Sequence, residues 1–274
     1  MNNNAILLPE WANQSAIQLT WPHEGTDWRE YLDDICATYA EMANAITRYE
    51  KLLVVAPEPE LVKKELSKRL TSCQLDNIIF HKCPTNDTWA RDHGFITLGG
   101  DGTYTLLDFR FNGWGDKFEA ALDNAINRSL YDNGVVEGTY TDLNSFVLEG
   151  GSIESDGRGT VLTTSQCLLA PHRNQPLTRS EIELKLKSML HAERILWIDY
   201  GHLEGDDTDG HIDTLVRIAP DDTLLYIGCD DKSDSHYDDL KRMEEQLKTF
   251  RTADGKPYRL MRLPMPCLLY TSPS

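Results

Sequence analysis

Strand-like and helix-like patterns alternate along the whole of this 274-residue chain. That alternation restricts it to a mixed α/β architecture. Ala16–Trp21 reads as a strand. Asp27, with Glu30 three residues on, offers a capping box that opens a helix reaching about Tyr49. Leu52–Ala56 is a short apolar run expected to be a buried strand, and a second helix is expected over Glu58–Leu70. Further strands fall at Asn77–His81, Phe95–Leu98 and Thr103–Phe109, and a third helix pattern begins near Asp116. Ser145–Leu169 reads as two or three strands around a Ser-Asp-Gly-Arg-Gly turn. Thr178 and Glu181 form another capping box, ahead of an apolar helical face of Ile182, Leu186, Met189 and Leu190. Strands at Ile195–Ile198, Thr214–Ile218 and Leu224–Ile227, a helix over Ser235–Phe250 and a strand at Tyr258–Leu263 complete the pattern. No linker or low-complexity stretch interrupts it, so one mixed α/β domain is expected. Periodicity does not give the order of strands in the sheets.

Charge narrows the partners. With 27 Lys and Arg against 44 Asp and Glu, the formal net charge is −17. Nucleic acids and anionic membranes need a basic footprint, so neither is expected as a partner. The excess suits a small cationic ligand, and it also serves solubility alone. No apolar run approaches the length of a membrane span, and the N-terminus lacks the pattern of a secretory signal. Six scattered cysteines form no Cys-x-x-Cys pair, so neither a zinc site nor a disulfide framework is expected, and a reducing cytoplasm is the default.

Three polar clusters sit where strands are expected to end, the place where loops collect function. They are Asn86-Asp87-Thr88-Trp89-Ala90-Arg91-Asp92-His93-Gly94, then Leu148-Glu149-Gly150-Gly151-Ser152, then the acidic run Glu204–Thr214. From Asp92 to Glu149 is 57 residues and from Glu149 to His211 is 62, a spacing that suits repeated structural modules. His211 and Asp213 are two apart, which on a strand would put imidazole and carboxylate on one face as a proton-transfer pair. Carboxylates around a small cavity also match the forked donors of a guanidinium, and Trp89 could wall the cation's face. Asp87 and Arg91 each also read as ordinary solvated turn residues, and Gly150-Gly151 as no more than a bulge or turn. The acidic run is harder to dismiss. Four aspartates, one glutamate and one histidine within Glu204–Asp213 repel one another unless a cation or proton stands among them.

A metal is one such cation. The run fails as a calcium loop, because aligning Gly210 with the invariant glycine puts Gly205 and Val216 at ligand positions. Asp209-x-His211-x-Asp213 resembles the D-x-H-x-D motif of two-manganese ureohydrolases, but no second Asp/His cluster accompanies it.

Taken in order, Pro9-Glu10-Trp11, Leu19-Thr20-Trp21-Pro22-His23, NDTWARD, FNGWGDKFE, LEGGSIESDGRGT and GDDTDGHIDT resemble the agmatine deiminases and the bacterial peptidylarginine deiminases related to them. The resemblance runs to about Pro266. It implies a five-bladed, pseudo-symmetric α/β propeller of ββαβ modules and a small cationic guanidino substrate, agmatine first. It implies no metal or organic cofactor, and it implies a homodimer. Carried over, Asp92 and Asp213 are guanidinium-binding carboxylates, Glu149 lines the site, and His211 is the general acid/base. Trp89 and Trp114 resemble the pocket's aromatic walls. The implied chemistry is attack by a cysteine thiolate on the guanidinium carbon, loss of ammonia, and hydrolysis of the resulting amidino-thioether to a ureido product.

The chain departs from that pattern at its nucleophile. The family's cysteine lies in a Gly-x-x-His-Cys-type motif near the C-terminus, and Cys36, Cys73, Cys83, Cys167, Cys229 and Cys267 do not match it. Cys167 and Cys229 follow apolar strand segments and read as small buried hydrophobes. Residues 267–274 depart from the family and read as a non-native tail, so residues 1–266 are expected to form an incomplete deiminase-like domain that lacks its last module. The expectation is therefore an agmatine deiminase of polyamine metabolism, inactive as this fragment. Alternatives are a peptidylarginine deiminase, a non-catalytic guanidine-binding protein, and a manganese ureohydrolase.

Overall fold

Leu52–Ala56 has the composition of a strand covered on both faces, and all five of its residues are buried in the computed structural model, which describes residues 5–100 and 102–265. Among these residues the strands form four small sheets of three or four strands each. The chain divides into two compact units, residues 12–97 with 102–150, and residues 1–11 and 98–101 with 151–274.

In the first unit Leu52–Ala56 is the central strand, parallel to Ile17–Thr20 on one side and Ile78–Lys82 on the other. Parallel neighbours need crossovers, and the helices Leu32–Ile46 and Pro59–Leu66 supply them. Ala40, Ala43, Val62 and Leu66 pack on one face of this sheet with Leu52 and Val54. Leu53 and Val55 turn to the other face, against Cys83, Ile126 and Leu130. Thr103–Arg110 pairs in parallel with Thr139–Val147, the short helices Ala121–Asn124 and Ile126–Asp132 lying between them in sequence.

The second unit repeats one motif. Ile153–Ser155 and Thr160–Thr164 pair antiparallel, and Thr160–Thr164 then pairs in parallel with Arg194–Ile198 after the helix Arg179–Met189. Val216–Ala219, Thr223–Gly228, the helix Tyr237–Thr249 and Arg259–Pro264 reproduce that pairing. Each is a ββαβ module. Ile6 and Leu7 pair antiparallel with Gly99 and Leu98 in the same unit.

Several local expectations need correction. The Thr178/Glu181 capping box forms, but Asp27/Glu30 does not: Thr26 precedes a 3-10 turn over Asp27–Tyr31, and no side chain caps it. The single helix expected from Asp116 is broken into pieces. Trp114, Gly115 and Asp116 have φ of 56°, 86° and 63°, which no right-handed helix accepts. Asn86 Oδ1 then accepts the Leu122 and Asp123 amides, and Asn124 Oδ1 accepts that of Phe111, so other segments satisfy groups that one continuous helix would have paired. The helix expected over 58–70 stops at Leu66, and a new capping box at Thr71/Gln74 starts a short turn. The proposed tail at 267–274, with Cys267, lies outside the described residues.

Candidate active site

The NDTWARD segment is held before it is aimed. Asp123 Oδ1 accepts the Asn86 N–H at 2.7 Å, its Oδ2 accepts the Asp87 N–H at 3.0 Å, and Asn86 Oδ1 accepts the Leu122 N–H at 2.8 Å in return. Asp123 is buried. Burial pushes its carboxyl up to about 6, against the opposing pull of the two backbone donors. Beyond this clamp, Ala90–His93 makes one helical turn that carries Asp92.

Asp92 is buried, and Trp114 Nε1 donates to its Oδ2 at 3.1 Å. Trp89 stands edge-on to Trp114, their ring centres 5.8 Å apart, and is 44% exposed. An accessible indole beside a buried, hydrogen-bonded carboxylate is a fitting surface for a flat cation. Trp89 Nε1 donates to Asp87 Oδ2 at 3.2 Å, so Asp87 is not the solvated turn residue that its position suggested. Burial raises the Asp87 carboxyl, the Trp89 bond lowers it, and Asp27 raises it.

Glu149 is fully buried just ahead of the 3-10 turn Gly150–Ser152. Gly150 is required there for a reason other than a bulge. A β-carbon on it would lie 2.0 Å from the Arg91 carbonyl oxygen, so the backbones on either side of Asp92 and Glu149 meet at this glycine. Within the first unit the structure therefore brings together Trp89, Asp92 and Trp114, with Glu149 on an adjoining segment.

His211 and Asp213 belong to the second unit, and they are not on a strand. His211 is buried and precedes a one-turn helix over Ile212–Leu215 that contains Asp213, so the same-face argument from strand periodicity does not apply. The acidic run is organised by hydrogen bonds. Asp206 Oδ2 accepts the Gly210 N–H at 2.6 Å, and Thr208 Oγ1 accepts the His211 N–H at 3.1 Å. The cation that the run called for is Arg173, whose buried guanidinium donates to Asp209 Oδ2 at 2.7 Å. That pairing occupies an oxygen the D-x-H-x-D metal reading would need. Sequence reasoning passed over Arg173, although the unbalanced charge of Glu204–Asp213 was its signal.

Cys167 is fully buried in the short helix Ser165–Leu168, and its Sγ lies within 4.8 Å of a ring nitrogen of His211. Cys229, expected to be buried, is only partly so.

Residues 6–273 match the family profile of the Porphyromonas-type peptidyl-arginine deiminases. The chain belongs to that family. The agmatine deiminase of Ectopseudomonas mendocina (strain ymp) is 32% identical over 271 residues, which is 96% of this chain and 71% of that protein. A solved C. jejuni agmatine deiminase, a cysteine-to-serine variant with substrate bound, is 39% identical with a TM-score of 0.86 and covers 98% of this chain and 76% of its own. The agmatine deiminase of Enterococcus faecalis, solved catalysing its reaction, is 26% identical with a TM-score of 0.84, covering 96% of this chain and 72% of its own. Within this deiminase family frame the three polar clusters are the segments that carry the buried polar side chains Asp92, Glu149 and His211. Among the described residues no helix is long and apolar enough to cross a membrane.

Proposed function

We propose that the chain is of the agmatine deiminase kind, whose reaction hydrolyses agmatine to N-carbamoylputrescine and ammonia. The observation that carries this reading is the buried Asp92 carboxylate beneath Trp114 and the accessible Trp89, in a chain whose relatives include agmatine deiminases. Asp92 and Asp213 are the proposed acceptors for the guanidinium fork, and Trp89 and Trp114 its aromatic walls. Keeping the substrate cationic keeps its central carbon electrophilic.

A cysteine thiolate then attacks that carbon. The C–N bond breaks, ammonia leaves with a proton delivered by His211, and an amidino-thioether remains. Water deprotonated by His211 adds next, and the thiolate leaves to release the ureido product. Glu149 orients substrate or histidine. The reaction so written uses neither metal nor organic cofactor. No cysteine of this chain matches the family's Gly-x-x-His-Cys pattern, so the proposal for these 274 residues is guanidine binding without turnover. The recurring ββαβ modules support the five-bladed propeller as the fold of the whole family domain. A cytoplasmic place in polyamine formation, and a homodimer, complete the reading.

A peptidylarginine deiminase is the second reading, favoured by the description of the matched family. Calorimetry of the chain with agmatine, arginine and a blocked peptidyl-arginine separates them, alongside ammonia and ureido assays. Binding of agmatine above the other two is expected. Absence of binding to all three guanidines sinks both readings, and chelator-sensitive urea release would establish a ureohydrolase instead.

A further inference from the structure

The loop that presents His211 is held from inside and from outside. Inside it, Asp206 accepts the Thr208 and Gly210 N–H groups and the Thr208 hydroxyl, and Asp209 adopts a left-handed φ of 65°. The groups that hold the loop from outside come from one segment, Thr164–Arg173. At its start Thr164 Oγ1 donates to the Gly210 carbonyl at 2.6 Å while accepting the Cys167 N–H at 3.1 Å. At its middle Gln166 lies so close to Gly210 that a β-carbon there would be 3.0 Å from its Oε1. At its end the Arg173 guanidinium, with no exposed side-chain surface, reaches two consecutive residues: Asp209 Oδ2 at 2.7 Å and the Thr208 carbonyl at 3.1 Å. Thr208 is the residue whose hydroxyl receives the His211 N–H.

We infer that Arg173 is a positioning residue for His211. Its two-pronged grip fixes the backbone of Thr208 and Asp209, and through Thr208 Oγ1 fixes the amide of His211, so that the imidazole is delivered to a single place. The inference rests on the proposed role of His211 only for its functional meaning; the geometry stands without it. A guanidinium is suited to this task because its fork is rigid and its charge permanent, whereas a lysine ammonium is a single point that cannot span both acceptors. The buried Arg173 guanidinium, paired with the part-exposed Asp209, also offsets one of the negative charges of the histidine loop.

The test reads His211 itself and needs no turnover. Histidine-selective NMR of the whole chain would be recorded for the parent, for Arg173→Lys, which keeps charge but loses the fork, and for Asp209→Asn, which keeps size but loses charge. Assignment uses His211→Gln. Both variants should remain folded by circular dichroism, and His211 ring resonances should move or broaden while those of His93 and His81 in the first unit stay within line width. Unmoved His211 signals in a folded Arg173→Lys chain would overturn the inference. So would unfolding of both variants, because the pair would then hold the unit and not the histidine. Failure of the deiminase reading would appear separately, as absent guanidine binding with the His211 response intact.

Discussion

Trp114 Nε1 donates to Asp92 Oδ2 across 3.1 Å, and both side chains are buried. The indole reaches that position because Trp114 sits at φ 56° between Gly113 and Gly115, a conformation that turns the ring inward against Phe111 and Phe118. A strained tryptophan that hydrogen-bonds a carboxylate is thus the centre of the first unit's contribution to the site.

Trp114→Phe keeps the aromatic packing and removes the donor. A hydrogen bond to a charged group is worth about 1.5–3 kcal/mol. The variant should lose roughly that much stability and bind agmatine about tenfold more weakly, a change of about 1.4 kcal/mol. Urea unfolding and calorimetric titration measure the two losses. If midpoint and affinity both match the parent, the indole packs beside Asp92 without holding it.

Gly150→Ala tests the close approach between the Glu149 and Arg91 segments. The added carbon would lie 2.0 Å from the Arg91 carbonyl oxygen, which belongs to backbone and cannot swing aside. Overpacking of this kind costs about 1–3 kcal/mol, and here it also displaces the turn carrying Asp92. Gly205→Ala is the control, since Gly205 has φ of 79° but nothing within 4 Å of the new carbon. Left-handed strain alone costs about 1–2 kcal/mol. Guanidine binding should fall in Gly150→Ala and persist in Gly205→Ala; equal retention in both would remove the packing argument.

Alternation of elements and the positions of most strands were legible because strand burial is written locally, as in the Leu-Leu-Val-Val-Ala run of 52–56. The Thr178/Glu181 capping box was legible for the same reason: its two partners lie within one turn of helix. What could not be read depends on partners far along the chain. The pattern from Asp116 looks helical until Asn86, thirty-six residues before Leu122, takes that residue's amide. The spacing of His211 and Asp213 would put them on one face only on a strand, yet His211 precedes a one-turn helix and its loop is contacted by Thr164 and Arg173. The clusters containing Asp92, Glu149 and His211 could be named from sequence, while the groups that hold two of them, Asp123 and Arg173, could not.

Opposing titrations should flatten the acid stability profile of the first unit. Burial pushes Asp123 up to about 6 and pulls the His93 imidazole down to about 4. Their unfolded references are near 3.9 and 6.5. Folded Asp123 holds its proton more tightly than the unfolded chain does, so its contribution is full below about pH 4 and is lost as pH rises through 6. Folded His93 holds its proton less tightly, so its contribution is full above about 6.5 and is lost as pH falls through 4. Asp123→Asn removes the first slope and leaves the second. A proton held tenfold more tightly in the folded chain than in the unfolded one is worth about 1.4 kcal/mol. Between pH 4.5 and 6.5 the variant's stability should therefore rise relative to the parent's by about 2 kcal/mol. Urea midpoints at three pH values decide this, and parallel profiles for the two chains would refute the Asp123 assignment.

Thiol labelling addresses the nucleophile. The thiolate is the reactive form, so a cysteine poised to attack a guanidinium must be both reachable and readily ionised. Among the described residues Cys73 is exposed, Cys36 and Cys229 are partly covered, and Cys83 and Cys167 are buried. Burial raises the Cys36 thiol, and it raises the Cys83 thiol in the same way, against weaker lowering by Trp21 and Ser129. With iodoacetamide at neutral pH, mass spectrometry of the native chain should find Cys73 alkylated first and Cys36 and Cys229 more slowly. Cys83 and Cys167 should react only after denaturation, and agmatine should protect none of the five. The informative exception is Cys167, because its sulfur lies within 4.8 Å of a His211 ring nitrogen. Fast labelling there, suppressed by agmatine, would mark Cys167 as the attacking thiol and overturn the reading that these 274 residues bind without turnover.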